Sequence, residues 1–137
     1  MYKVNWSWDK SLDLLLSKKF SGKSILNFPC GMSQIGTRAD IDKTTLPDII
    51  GDIFNPAFKT RSYDVVICDP PFSYFNRFKW LLPISNIADK YLVLSTPNIC
   101  YSFKGFSEPE IYAVRTKGRF FLRFLFVYKR LNSSLII

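Results

Sequence analysis

The chain contains no histidine. That absence removes the Ser-His and Cys-His pairs that activate nucleophiles, together with the most common zinc ligand. Cysteine is sparse: Cys30, Cys68 and Cys100 are odd in number and far apart, and two of them lie inside apolar runs. Buried free thiols fit this pattern better than disulfides or a metal centre. No C-x-x-C, H-E-x-x-H or G-x-x-x-x-G-K-[ST] occurs, and no metal is expected,. No run approaches the roughly 20 apolar residues that cross a bilayer. Met1 is not followed by a basic segment and an apolar stretch of signal-peptide type, so a cytoplasmic protein with no membrane contact is expected,. Acidic residues are also few, 11 against 19 Lys and Arg, leaving a net charge of +8. Such an excess favours a polyanionic partner, because Lys and Arg displace phosphate counterions. A merely soluble basic protein has the same charge.

What is present reads as one domain spanning 1–137, with 47% hydrophobic residues to build its core,. Asp9 to Phe20 reads as a helix, with Leu12, Leu15 and Leu16 on one face and Lys18 and Lys19 in the last turn,. Ser24 to Phe28, Arg38 to Ile41 and Pro47 to Ile50 read as short strands. The near-continuous apolar run Tyr63 to Cys68 reads as a strand buried on both faces of a parallel sheet,. Ser73 to Lys90 has a helical pattern limited or kinked by Pro83, and Tyr91 to Ser95 is the next central strand,. The tail holds two β-rich runs separated by Thr116-Lys117-Gly118, a hairpin turn,. Alternating strands and helices followed by a hairpin give an α/β sandwich with a mixed edge.

In such a sheet, ligands bind beyond the carboxyl ends of the strands. Here the first four strands are followed in turn by F-P-C-G with Gly31, by A-D-I-D with Asp40 and Asp42, by G-D-I-F with Asp52, and by C-D-P-P-F with Asp69. Each alone has a plain structural explanation: a turn glycine, a solvated acid, a helix cap. Four in order on one sheet are hard to dismiss.

In these residues the chain resembles the class I S-adenosylmethionine (SAM)-dependent methyltransferases, in the amino-methyltransferase branch that carries D-P-P-[YFW]. The resemblance covers about Ser24 to Leu94 in motif order, and its specific part is A-D-I-D…L-P-D-I-I-G-D-I-F…Y-D-V-V-I-C-D-P-P-F. It implies a Rossmann-like sandwich with a mixed seven-stranded sheet, order 3-2-1-4-5-7-6, ending in an antiparallel hairpin. It implies SAM as cofactor, with the loop Phe28, Pro29, Cys30 and Gly31 passing under the methionine portion. Asp40 would accept from both ribose hydroxyls, with Asp42 as competing candidate. Asp52 would accept from the adenine amino group, and the Ile53 N–H would contact the ring. Asp69, Pro70, Pro71 and Phe72 would form the catalytic corner. The Asp69 carboxylate and the Pro70 carbonyl would accept from the two N–H bonds of a base amino group, and Phe72 would stack on the base. Cys30 follows a proline, as nucleophiles of cytosine-C5 methylation do, but it lies in the cofactor loop and reads as a packing residue.

Only eight residues separate Gly31 from Asp40, where the family places a full helix,. The first helix is therefore expected to be shortened or missing. The Asp9–Phe20 helix or a second subunit, in a homodimer, must then cover that sheet face. Tyr74, Phe75, Arg77, Lys79 and Trp80 mix basic and aromatic residues and suit a nucleic-acid strand,. The leading expectation is methyl transfer to a base amino nitrogen, adenine in DNA first. The alternatives are an RNA or protein-glutamine methyltransferase, or a non-catalytic basic nucleic-acid-binding protein on the same fold.

Overall fold

The computed structural model describes residues 10–70, 78–96, 100–115 and 122–131. Along the chain these form helix α1 (Lys10–Lys19), strands β1 (Ile25–Asn27) and β2 (Thr37–Asp40), a 3-10 turn at Lys43–Thr45, then β3 (Ile49–Ile50) and β4 (Tyr63–Cys68). A 3-10 turn at Phe78–Trp80 leads into α2 (Leu81–Ile87), followed by β5 (Ala88–Thr96), β6 (Glu110–Arg115) and β7 (Leu122–Lys129). The strands make one seven-stranded sheet in the order β3-β2-β1-β4-β5-β7-β6. The first five pair in parallel, and β7 runs antiparallel to both β5 and β6. This is the topology that the family resemblance implies, with no helix between β1 and β2.

Alternation along β4 assigns the two faces. Val66 and Cys68 pack with Leu26, Phe28 and Ala39 under Trp80, Leu81, Ile84 and Ile87,. Val65 and Ile67 turn the other way, and with Val93, Leu125 and Val127 they meet Leu12, Leu16 and Phe20 of the α1 segment, plus Ile35. Helix α1 thus covers the face left bare by the missing helix. Each of its three large apolar contacts contributes about 1.5–3 kcal/mol by burial. The i, i+4, i+8 spacing of Leu12, Leu16 and Phe20 defines the stripe. Leu15, expected on it, points off the face and is half exposed.

Two other boundaries differ from expectation. The helical pattern read over Ser73 to Lys90 yields only the short α2 after a 3-10 turn, and residues 73–77 lie outside the described residues. Pro83 falls in the first turn of α2, where its missing N–H has no intrahelical acceptor to lose, so it causes no kink,. Strand β5 begins at Ala88 rather than Tyr91, because Ala88 pairs with Tyr63 of β4. Arg130 secures this start, donating from Nη2 to Ser85 O and from Nε and Nη2 to Ala88 O while its guanidinium lies 4.4 Å from the Phe106 ring centroid. The expected turn at Thr116–Gly118 lies outside the described residues.

Gly36 makes the short β1–β2 connection possible. Its φ is +66°, and a Cβ there would stand 2.6 Å from the Ile25 carbonyl oxygen. Gly22 has a similar φ of +78° with open space around it. Gly36→Ala is therefore expected to cost several kcal/mol, against about 1 kcal/mol for Gly22→Ala. Chemical denaturation of both variants checks this, and equal losses would refute the packing argument.

Candidate functional site at the carboxyl ends of the strands

The sheet order brings the ends of β3, β2, β1 and β4 side by side, and with them Asp52, Asp40, Gly31 and Asp69. Phe28 N donates to Ile67 O at 2.9 Å and Cys30 N to Ala39 O at 2.9 Å, so the loop leaving β1 stays between its two neighbours. The Phe28 ring is buried beneath it, edge-on to Phe58. A Cβ on Gly51 would come within 3.3 Å of that ring, which is why glycine lets the end of β3 pass over it. Gly31 has φ +51°, and nothing lies within 4 Å of where its Cβ would stand. The backbone there favours glycine through its left-handed φ rather than through crowding, and the loop borders open space,.

Asp40 is 7% exposed, and its carboxylate organises the loop. Oδ2 accepts from Gly31 N at 2.9 Å and faces the Cys30 thiol at 3.9 Å, while Oδ1 accepts from Asp42 N at 3.0 Å. Gly51 N donates to the Asp40 carbonyl at 3.1 Å, bringing the third strand's loop to the same place. A carboxylate offers about four acceptor positions. The two backbone amides and the thiol leave part of that acceptor capacity unused, and an acceptor of this kind fits the two donors of a vicinal diol,.

Asp42 is not on the strand. It lies after the end of β2 and caps the Lys43–Thr45 turn, accepting from Thr44 N at 3.0 Å and Thr44 Oγ1 at 2.7 Å. Those bonds, the side-chain one first, hold its carboxyl below the usual carboxylate range. Its role as cap makes Asp40 the better placed of the two acids for a ligand. Asp52 is exposed, and its Oδ1 accepts from Phe54 N at 2.9 Å in a small turn. The Ile53 side chain is buried in the core. Asp69 follows β4 directly and is partly buried, and Pro70 is buried. Pro71 and Phe72 lie outside the described residues, as do Tyr74, Phe75 and Arg77. Trp80, read as part of a basic-aromatic surface, is a core residue instead, edge-on to Phe54.

Four residues were not singled out by sequence reasoning. Arg38, 8% exposed, donates to the carbonyls of Gly31, Ser33, Thr45 and Leu46, stitching the loop after β1 to the turn after β2. Asp13 reaches from α1 to the same loop, accepting from Ser33 Oγ at 2.6 Å and Gln34 N at 2.9 Å, and Asn27 Nδ2 donates to Ser33 Oγ. Ser95, one position past the Cys68–Leu94 pairing, buries its hydroxyl with no hydrogen-bond partner among the described residues. The only available signal for Arg38 was a charged residue at an inward position of a short strand. A cleft of about 270 Å³ between Lys23, Tyr91 and Lys129 lies at the opposite, amino-terminal end of the parallel strands. Among the described residues, no cluster of acids or thiols forms a metal site, and no helix is long and apolar enough to cross a membrane.

No protein-family model and no curated protein matches the chain. Solved structures do match in fold. The magnesium protoporphyrin IX methyltransferase ChlM from Synechocystis PCC 6803, solved with bound SAM, superposes with a TM-score of 0.61 at 19% identity, over 89% of this chain and 77% of that one. The putative methyltransferase yhhF from Escherichia coli gives 0.56 at 13% identity, over 88% and 82%. The putative methylase HI0767 from Haemophilus influenzae gives 0.55 at 17% identity, over 90% and 88%. The chain therefore has the Rossmann-like fold of the methyltransferases, from residues that share little sequence with them.

The same geometry sets the thiol chemistry. Burial pushes the Cys30 thiol up, and burial followed by the Asp69 charge pushes Cys68 well up, so at neutral pH both stay protonated and unreactive,. Cys100 is exposed. A disulfide reagent at pH 7.5 is expected to label Cys100 first, and Cys30 and Cys68 only on unfolding; rapid labelling of all three in folded protein would contradict the buried geometry.

Proposed function

We propose that the chain, acting as one methyltransferase domain, transfers the methyl group of SAM to an exocyclic amino nitrogen of a nucleic-acid base, adenine in DNA first. The observation that carries this reading is the convergence of Gly31, Asp40, Asp52 and Asp69 at the ends of four adjacent strands, beside open space. Its other supports are the fold shared with a SAM-bound methyltransferase, the D-P-P-F corner and the charge of +8.

In this reading Asp40 accepts from the ribose hydroxyls while its existing bonds to Gly31 and Asp42 keep it oriented. Asp52 accepts from the adenine amino group. Bound SAM supplies an electrophilic methyl on sulfonium. The chain's contribution lies at Asp69 and Pro70. A base amino group is a poor nucleophile because its lone pair is delocalised into the ring. The Asp69 carboxylate and the Pro70 carbonyl accept its two N–H bonds, favour a pyramidal nitrogen and aim the freed lone pair. Pro71 stiffens that corner, and Phe72 stacks on the base, a contact of about 1–3 kcal/mol. A base drawn from a duplex is first flipped out, at a few kcal/mol. The protein works in the cytoplasm on nucleic acid, without a metal. A homodimer would supply grip on DNA that one short chain lacks, although α1 already covers the face that called for a second subunit.

Radiolabelled methyl transfer from SAM to DNA, RNA and protein pools tests the substrate class. Label in DNA base amino groups is expected; label in glutamine or RNA redirects the substrate, and no label in any pool rejects the enzyme reading. Asp69→Ala is expected to lower kcat by about 10²–10³-fold with SAM affinity nearly unchanged. Asp40→Ala is expected to weaken SAM binding about tenfold or more in calorimetry. Wild-type turnover in Asp69→Ala would remove the assigned mechanism.

A further inference from the structure

Arg38 and Ala39 leave β2 on opposite faces of the sheet, and Ala39 packs with Leu26 and Phe28,. The Arg38 side chain therefore lies on the face that a helix between β1 and β2 would cover. Its guanidinium donates to Ser33 O at 2.6 Å, Leu46 O at 2.8 Å, Thr45 O at 2.9 Å and Gly31 O at 3.0 Å. Among the described residues it forms no ion pair. Its charge reaches the loop: burial raises the Cys30 thiol, and Arg38 pulls it part of the way back.

The bond to Gly31 O has a consequence on the other side of the same peptide. A trans peptide points its C=O and N–H in opposite directions. With the Gly31 carbonyl fixed on Arg38, the Met32 N–H is turned away from it, and no acceptor meets that N–H among the described residues. Met32 is exposed, and nothing lies within 4 Å of a Cβ position on the neighbouring Gly31, so the loop is open at both residues. A cation on the carbonyl also polarises the peptide and strengthens its N–H as a donor.

We propose that Arg38 is a positioning residue for the anionic end of the cofactor: by holding the Gly31–Met32 peptide, it aims the Met32 N–H at the carboxylate of the methionine portion. One buried side chain thereby does the electrostatic work of the absent helix N-terminus, which would offer backbone N–H groups and a partial positive charge to an anion. The inference rests on the methyltransferase reading above and adds a residue to it.

The test compares calorimetric affinities for SAM and for decarboxylated SAM, which lacks only the carboxylate, in the wild type, Arg38→Lys and Arg38→Met. The wild type is expected to prefer SAM by about tenfold, the weight of one charge-assisted hydrogen bond. Both variants are expected to shrink that preference to under about threefold, since Lys cannot reproduce the planar fork. A merely structural Arg38 would weaken both ligands equally, and an unchanged ratio in a folded variant overturns the proposal. Thermal denaturation identifies folded variants; if Arg38→Met does not fold, Arg38→Lys decides. Wild-type protein that binds SAM without preferring it refutes this inference alone, whereas wild-type protein that binds neither ligand refutes the cofactor reading with it.

Discussion

Two opposite charges on one short strand organise the carboxyl-terminal edge of the sheet. Arg38 and Asp40 lie two residues apart on β2 and share a face,. One gathers carbonyls and the other gathers amides from the same loops. Their complementary demands fix a connection too short to contain regular structure. Buried backbone groups must find partners, and in an irregular loop a helix or sheet cannot supply them. Here side chains do so. Remove either charge and the loop loses partners at several peptides at once.

The other half of the arrangement is cover. A central parallel sheet needs both faces shielded. One face takes α2 and the aromatic residues Phe103 and Phe106 around Tyr128. The other takes α1, which precedes the sheet in sequence and is tied to the β1–β2 loop through Asp13. The helix that hides the apolar face also steadies the loop after β1. A reduced fold can stay compact when one element takes on both tasks.

Much of this was legible in the residues. The strand order followed from the family resemblance, and α1 followed from Leu12, Leu15 and Leu16 ahead of two lysines, although Phe20 rather than Leu15 completes its buried stripe. The acids that follow successive strands stood out because carboxylates seldom fill a core. What escaped reading was decided by tertiary contact. Ala88-Asp89-Lys90 looks helical in isolation and becomes strand because β4 offers it a ladder. Trp80 follows a lysine in sequence and points into the core in space. Asp42 resembles a strand-end acid until its cap to Thr44 is known. Arg38 acts entirely on backbone carbonyls, and a pattern of side chains carries no record of them.

Strand β3 is only two residues long and forms one border of the sheet. A border strand carries unpaired amides and carbonyls that invite neighbouring molecules to add on. This one offers too short a ledge for such templating, even though Ile49 and Ile50 are both apolar and exposed. Aggregation resistance on that side thus comes from brevity rather than from lysines or prolines on the strand, and lengthening it by a few β-branched residues would give intermolecular pairing a foothold.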